Sequence, residues 1–188
     1  LFTGAPGTGK SSFLSSLAWA WKDWADLQIV ADPGAVLTDM EYMTRVSLSR
    51  RPDERWGVVV LEDAGSLFSP DAEQRSGEGR LGALLNLGDG LLGKASKTLW
   101  ICTTNLALDS LHAAVSRPGR CAAAVNFTAF PEDEAKAWLT AKERPDLVDT
   151  VRGEMTLAEL YALLNGTSIE TSTTRRPVGF QHMRAVGE

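Results

Sequence analysis

Nine residues near the start of the chain, GAPGTGKSS at positions 4–12, constrain its fold more than any other segment. Fixing a glycine costs more conformational entropy than fixing any other residue, so three glycines in one loop indicate a close approach of the backbone to another group. The spacing Gly4-x-x-x-x-Gly9-Lys10-Ser11 matches a loop that binds phosphate groups with its backbone N–H groups. A glycine-rich surface turn is the alternative. The flanking segments, however, fit a buried strand before the loop and a helix after it, whose N-terminus favours an anion.

Two side chains of this loop have specific expected roles. Lys10 would reach the β- and γ-phosphates of a nucleoside triphosphate, and the Ser11 hydroxyl would bind Mg²⁺. The phosphates would also contact the neighbouring residues of the loop. The predicted nucleotide-binding residues are Ala5, Pro6, Gly7, Thr8, Gly9, Lys10, Ser11 and Ser12.

The composition suits one hydrophobic core and a small additional unit, since 44% of the 188 residues are hydrophobic. No apolar run approaches the ~18 residues of a membrane span, and the net charge of −5 argues against a broad nucleic-acid surface. Cys102 and Cys121 show neither metal-ligand spacing nor a disulfide pattern, which favours a reducing, cytoplasmic setting. The chain has no initiator Met and begins on an expected core strand, so we expect a fragment that lacks an N-terminal domain.

Apolar periodicity predicts strands that alternate with helices, which is typical of a parallel α/β sheet with right-handed crossovers. After Pro131 the pattern changes to helices and a polar tail, and one helix begins with the capping box Thr156-Leu157-Ala158-Glu159. One predicted strand ends at Leu1-Phe2. The other predicted strands span Leu27–Ala31, Trp56–Leu61, Thr98–Thr103 and Ala123–Phe127. The predicted helices span Phe13 to about Asp26, Asp39–Ser49, Leu81–Leu92, Glu132–Lys142 and Thr156 to about Asn165, with a turn at Asp32-Pro33-Gly34.

The strand Trp56–Leu61 is followed by two acidic residues, Glu62 and Asp63. At the carboxyl end of a central parallel strand, these carboxylates face the same crevice as the phosphate loop. Glu62 would then bind Mg²⁺, and Asp63 would polarise the attacking water. The usual order in this motif is Asp followed by Glu. Because aspartate is one methylene shorter, the reversed order predicts a different water geometry and leaves slow hydrolysis as an alternative.

Two further motifs add groups that could act on the γ-phosphate. The strand Thr98–Thr103 leads to Asn105, whose amide could orient the water. The segment Ser116-Arg117-Pro118-Gly119-Arg120 places two arginines around a rigid turn, and guanidinium groups suit phosphate charge because they are planar and have several donors. If Arg117 and Arg120 reach the nucleotide of a neighbouring subunit, they act as arginine fingers; two solvated surface arginines are the alternative.

Taken in order, these motifs resemble those of the AAA+ ATPases, specifically the AAA group with a second region of homology. The matching segments cover residues 1–130 and are GAPGTGKSS, VVVLEDAGSLF, LLNLGDGLL, LWICTTN and ALDSLHAAVSRPGR. The chain is similar to the core of a bacterial-type AAA ATPase, and its Glu-Asp order resembles that of a mitochondrial AAA translocase.

The resemblance implies a P-loop NTPase fold with a five-stranded parallel sheet of order 5-1-4-3-2 between helices. It also implies an α/β core at residues 1–130 and a small helical lid and tail at 131–188. ATP and Mg²⁺ would be the ligands, and the active form would be a homo-oligomeric ring, most often a hexamer. In this reading Asn105 is the sensor asparagine, and Arg117 and Arg120 are the fingers supplied in trans.

Three features of the sequence depart from the family pattern or have no definite assignment within it. The segment that corresponds to a pore loop, MEYMT at positions 40–44, has no glycine after the aromatic residue, so Tyr42 could grip a polypeptide or, as we favour, pack against the sheet. No arginine is assigned as a second sensor; Arg175 or Arg184 would serve only if the tail folds back. The loop Ser69–Arg80 is either a second pore loop or disordered.

The sequence favours an ATP-driven ring that remodels a protein substrate. A nucleotide-switched scaffold with slow hydrolysis is one alternative, motivated by the Glu62-Asp63 order. A DNA-associated loader is another, although the negative charge opposes it. A small-molecule kinase would explain the loop but neither Asn105 nor the paired arginines.

Overall fold

Helices and strands alternate along the chain in the computed structural model, which describes residues 1–48, 55–69, 97–112, 115 and 121–167. The strands are β1 (Phe2–Gly4), β2 (Ala25–Val30), β3 (Trp56–Leu61), β4 (Thr98–Cys102) and β5 (Val125–Phe127). The helices are α1 (Lys10–Trp21), α2 (Pro33–Thr38), α3 (Met40–Leu48), α4 (Gly65–Phe68), α5 (Glu132–Ala141) and α6 (Leu157–Leu164). Two 3-10 helices span Leu108–Ser110 and Pro145–Thr150. The predicted helix Leu81–Leu92 lies outside the described residues.

All strand pairs among the described residues are parallel. Strand β3 pairs with β2 on one side and with β4 on the other, while β1 pairs with β5. A parallel bridge between Phe2 and Thr103 joins β1 to the end of β4, and the Thr104 N–H donates to the Phe2 carbonyl at 2.9 Å. The order is therefore 5-1-4-3-2, and the predicted fold class, a parallel α/β sheet of the P-loop type, is confirmed.

The central position of β3 follows from its sequence. Val58, Val59, Val60 and Leu61 are all 0% exposed, because both faces of the strand are covered. Alternate side chains of a strand point to opposite faces. Accordingly, Val59 and Leu61 belong to one hydrophobic cluster, and Val58 and Val60 belong to a second. A strand buried on both faces reads as a continuous apolar run, and its acidic residues can lie only beyond its end.

The first helix ends earlier than its periodicity predicts. Helix α1 ends at Trp21 rather than near Asp26, and β2 begins at Ala25. The buried side chain of Ala25 continues the apolar pattern, but it belongs to a strand that pairs with Trp56 of β3. Tertiary pairing with β3 therefore decides this boundary.

The predicted turn Asp32-Pro33-Gly34 is the beginning of a helix. The Asp32 carboxylate accepts hydrogen bonds from the Gly34 N–H at 2.9 Å and the Ala35 N–H at 3.3 Å, and Pro33 occupies the first turn of α2. Aspartate before a helix and proline at its first position satisfy or remove N–H groups that have no partner within the helix. The same residues are typical of turns, so the sequence signal was ambiguous.

The two helices after β5 surround a third cluster of buried residues: Ala135, Leu139, Val151 and Leu160. The predicted capping box is present, since the Glu159 N–H donates to the Thr156 hydroxyl and the Thr156 N–H donates to the Glu159 carboxylate. Gly166 follows α6 with a φ of +66°, a left-handed conformation that glycine adopts without a steric cost. Within the described parts of the chain, no helix combines the length and the apolar character needed to cross a membrane.

Candidate functional site

The loop between β1 and α1 wraps around the amino group of Lys10. Its Nζ donates hydrogen bonds to the Gly4 carbonyl at 2.6 Å, the Ala5 carbonyl at 2.9 Å and the Asn105 Oδ1 at 2.9 Å. Partial burial lowers the pKa of the Lys10 ammonium, and the charge of the nearby Asp63 carboxylate opposes that shift. The lysine therefore stands where the loop, the end of β3 and the end of β4 meet.

Positive φ angles shape this loop. Gly7 and Gly9 have φ angles of +79° and +105°, which a residue with a side chain rarely adopts. Gly9 directly precedes α1, and the first N–H groups of the helix have no partner within the helix. Thr8 is buried and its hydroxyl donates to the Ala5 carbonyl at 2.8 Å, which stabilises the loop from within.

The two acidic residues after β3 have different partners. Glu62 is half-buried, and its Oε1 accepts a hydrogen bond of 2.6 Å from the Ser11 hydroxyl. Asp63 is exposed, has a φ of +52°, and donates its backbone N–H to the Thr103 hydroxyl at 2.9 Å. The two acidic residues thus contact different elements. Glu62 is hydrogen-bonded to the start of α1, and Asp63 lies next to the end of β4.

Asn105 connects the lysine with the second carboxylate. Its Nδ2 donates to the Asp63 Oδ1 at 3.4 Å, while its Oδ1 accepts the hydrogen bond from Lys10. This chain of three side chains spans the three strand ends that parallel pairing brings to one edge of the sheet. The predicted site residues of the described segments therefore lie together.

A cavity of about 370 Å³ opens between these groups, within the size range of small-ligand sites. Charged and polar groups from the loop, from the end of β3 and from the end of β4 face it. The lining residues are Pro6, Gly7, Gly9, Lys10, Ser11, Ser12, Glu62, Asp63, Thr103 and Asn105. Thr103 is the lining residue for which the sequence predicts no function other than its place in a strand.

The N-terminus of α6 packs on the loop, a contact that the sequence did not predict. The Ala158 N–H donates to the Gly7 carbonyl at 2.9 Å. A Cβ on Gly7 would lie 3.1 Å from the Ala158 Cβ, and a Cβ on Gly9 would lie 2.9 Å from the Leu157 Cδ2. These glycines therefore permit both the backbone conformation and the approach of a helix that lies about 150 residues away in sequence.

Loss of the α6 cap gives a stability prediction. Thr156→Ala removes the hydroxyl that accepts the Glu159 N–H, and we expect a loss of about 1 kcal/mol in the free energy of unfolding. Thr156→Ser, which keeps the hydroxyl, should stay close to the parent protein. Urea unfolding of the three proteins measures the difference, and an equal loss in both variants would show that the cap does not stabilise the helix.

Other predicted residues lie apart from this cavity or outside the described segments. The Tyr42 ring is partly buried against the cluster that contains Val59 and Leu61, with the Arg45 guanidinium 5.6 Å from the ring centre, so it packs as we favoured. The predicted fingers Arg117 and Arg120 lie outside the described residues. So do the two candidate second-sensor arginines, Arg175 and Arg184, and the loop segment 70–80.

Comparison with known families agrees with the geometry. A model of the ATPase family associated with various cellular activities (AAA) matches residues 1–129. The match covers more than half of the chain, so the chain belongs to the AAA family of P-loop ATPases. No curated protein matches the chain. The family is one of nucleotide-binding P-loop ATPases, and the cavity lies beside the loop that contains Lys10.

Proposed function

We propose that this chain binds ATP with Mg²⁺ in the cavity beside Lys10 and hydrolyses it. The observation that carries the proposal is the meeting of Lys10, Ser11, Glu62, Asp63 and Asn105 around one cavity. They come from α1, the end of β3 and the end of β4, so parallel pairing of distant segments is needed to assemble them.

Binding rests on the loop and on Lys10. The loop carbonyls and Asn105 hold the lysine amino group at the cavity edge, so its charge is positioned before a ligand arrives. Phosphate oxygens would take over as acceptors for this ammonium and for the N–H groups at the start of α1. The remaining loop residues Ala5, Pro6, Thr8 and Ser12 would complete the phosphate contacts.

The residues present fit a magnesium ion. The Ser11 hydroxyl and the Glu62 carboxylate lie within 2.6 Å of each other, and Mg²⁺ prefers oxygen ligands from one or two protein groups, water and phosphate. Bound there with ATP, the ion would neutralise charge on the β- and γ-phosphates. Ser11 and Glu62 would hold it, leaving Asp63 free for a different role.

Hydrolysis needs a group that positions and polarises water beside the γ-phosphate. Asp63 is exposed to the cavity and receives a hydrogen bond from Asn105. In our account Asp63 accepts the proton of the attacking water, and Asn105 orients both that carboxylate and the water. The Asn105 Nδ2 carries two hydrogens, so it can donate one to Asp63 and the other to the water.

Replacement of Asp63 tests this role. Asp63→Asn keeps the size of the side chain but removes the base, so we expect turnover to fall by about 10²–10⁴-fold with nucleotide affinity retained. Steady-state phosphate release and binding of a fluorescent ATP analogue measure the two effects. Asp133→Asn, an exposed carboxylate in the first turn of α5, is the control and should behave like the parent protein. Full turnover in Asp63→Asn would contradict the assignment.

The proposal extends to assembly. Arg117 and Arg120 would complete the ATP site of a neighbouring subunit, which makes a homo-oligomeric ring, most often a hexamer, the active form.

Residues 1–130 would form the ATPase core, and residues 131–188 would form a lid and tail. The contact between α6 and the phosphate loop supports a lid that responds to the nucleotide, because the Ala158 N–H already binds Gly7. Movements of this lid, coupled between the subunits of the ring, would remodel a protein substrate.

A nucleotide-switched scaffold is the second candidate. The observation that favours it is the order of Glu62 and Asp63, which places the shorter acid at the position expected for the base. In that case ATP binding would change the contact between α6 and the loop while turnover stays slow. Tight binding with little phosphate release would support the switch.

A further inference from the structure

The conformation of Asp63 needs an explanation. Its φ of +52° is left-handed, a region that aspartate enters more readily than most residues with a side chain but in which local hydrogen bonds must stabilise it. Asp63 is also the shorter acid of the reversed pair. The backbone therefore turns at the residue whose carboxylate must reach the water.

Thr103 supplies the restraint. Its hydroxyl accepts the Asp63 N–H at 2.9 Å, its carbonyl accepts the Ala64 N–H at 2.8 Å, and its own N–H donates to the Leu61 carbonyl at 2.9 Å. The residue is 3% exposed and also belongs to the bridge with Phe2. Three hydrogen bonds from one buried residue thus hold both sides of the turn that carries Glu62 and Asp63.

The hydrogen bond of the Thr103 hydroxyl depends on the identity of the side chain at this position. The two backbone bonds of Thr103 would form with any residue at this position, since they use only its N–H and carbonyl. The bond to the Asp63 N–H requires a hydroxyl. This hydrogen bond is partly buried, and an N–H left there without an acceptor would cost free energy, so loss of the hydroxyl favours rotation of the turn.

We propose that Thr103 is a positioning residue whose hydroxyl holds the Asp63 turn in its left-handed conformation and thereby directs the Asp63 carboxylate to Asn105 and the cavity. The turn then compensates for the missing methylene of aspartate. This inference rests on the proposed function, because it assumes that Asp63 activates water. It adds that Thr103 enables the reversed acidic pair, Glu62 and Asp63, to support hydrolysis.

The first test compares Thr103→Val with Thr103→Ser. Valine has the shape of threonine without the hydroxyl, so we expect kcat to fall at least tenfold while KM and the affinity for a fluorescent ATP analogue remain within twofold. Serine restores the hydroxyl and should retain most of the turnover. Thr98→Val removes another buried hydroxyl from the opposite end of β4, and its kcat should match that of the parent protein. Thr103→Ala replaces the valine variant if the latter does not fold.

A double-mutant cycle separates positioning from general destabilisation. If Thr103 acts through Asp63, Thr103→Val lowers kcat in the parent protein but causes no further loss in Asp63→Asn. Additive losses in the two backgrounds would overturn the proposal, and so would a folded Thr103→Val protein with parental kcat. Failure of the proposed function looks different: Asp63→Asn alone would then keep its turnover, whatever the result at Thr103.

Discussion

Replacing Lys10 by alanine is expected to weaken ATP binding by about 100-fold or more. The amino group lies at the meeting point of the phosphate loop and Asn105, where no second ammonium of the described residues lines the cavity. Each hydrogen bond to a charged group contributes about 1.5–3 kcal/mol, so the loss of two phosphate contacts weakens binding by about 100-fold or more.

Isothermal titration with ATP and Mg²⁺ measures this loss directly. Lys22→Ala is the matched control, because that lysine lies just beyond the far end of α1 with its amino group over the Trp19 ring. It should bind ATP like the parent protein. Retained tight binding in Lys10→Ala would mean that the loop does not bind the phosphates.

Replacing Arg117 by alanine should leave ATP binding intact and remove hydrolysis in the assembled ring. An arginine finger stabilises the charge of the transition state and contributes about 10³–10⁵-fold to the rate in well-studied phosphoryl transfers. Phosphate release and nucleotide titration on the same preparation separate the two effects. Arg152→Ala, in the segment before α6, is the control, because the Arg152 guanidinium donates to the neighbouring Val151 carbonyl at 3.2 Å and does not line the cavity.

Mixing the two variants tests whether the finger acts in trans. Lys10→Ala subunits bind ATP only weakly but still carry Arg117, and Arg117→Ala subunits bind ATP but lack the finger. Mixed rings should therefore recover part of the activity that each variant has lost. Mixtures that assemble without recovery would contradict a finger supplied by the neighbour, as would full activity in Arg117→Ala alone.

The parts of the site that could be predicted from the sequence are those coded by short segments. The glycine spacing around Lys10 and the acids after β3 each report a local backbone requirement, and both segments lie where they were expected. The capping box at Thr156 is local in the same sense and is present. Such motifs identify a site because parallel strands bring their carboxyl ends to one edge.

Other features depend on contacts between distant segments. The end of α1 was placed too late because Ala25 fits the helical pattern and is instead buried by pairing with β3. The packing of Ala158 on Gly7 could not be predicted, since a capping box determines where a helix begins but not what it touches. The reversed order of Glu62 and Asp63 is visible in the sequence, whereas the left-handed turn that accompanies it is not.

Phosphate release by the full-length protein, measured over a range of protein concentrations with sedimentation velocity in parallel, tests the central claim most directly. We predict that the rate per chain rises over the concentration range in which the proposed rings assemble, because a neighbour would complete each site. Tight ATP binding without turnover at any concentration would contradict the ATPase proposal and would leave Glu62 and Asp63 as parts of a nucleotide switch.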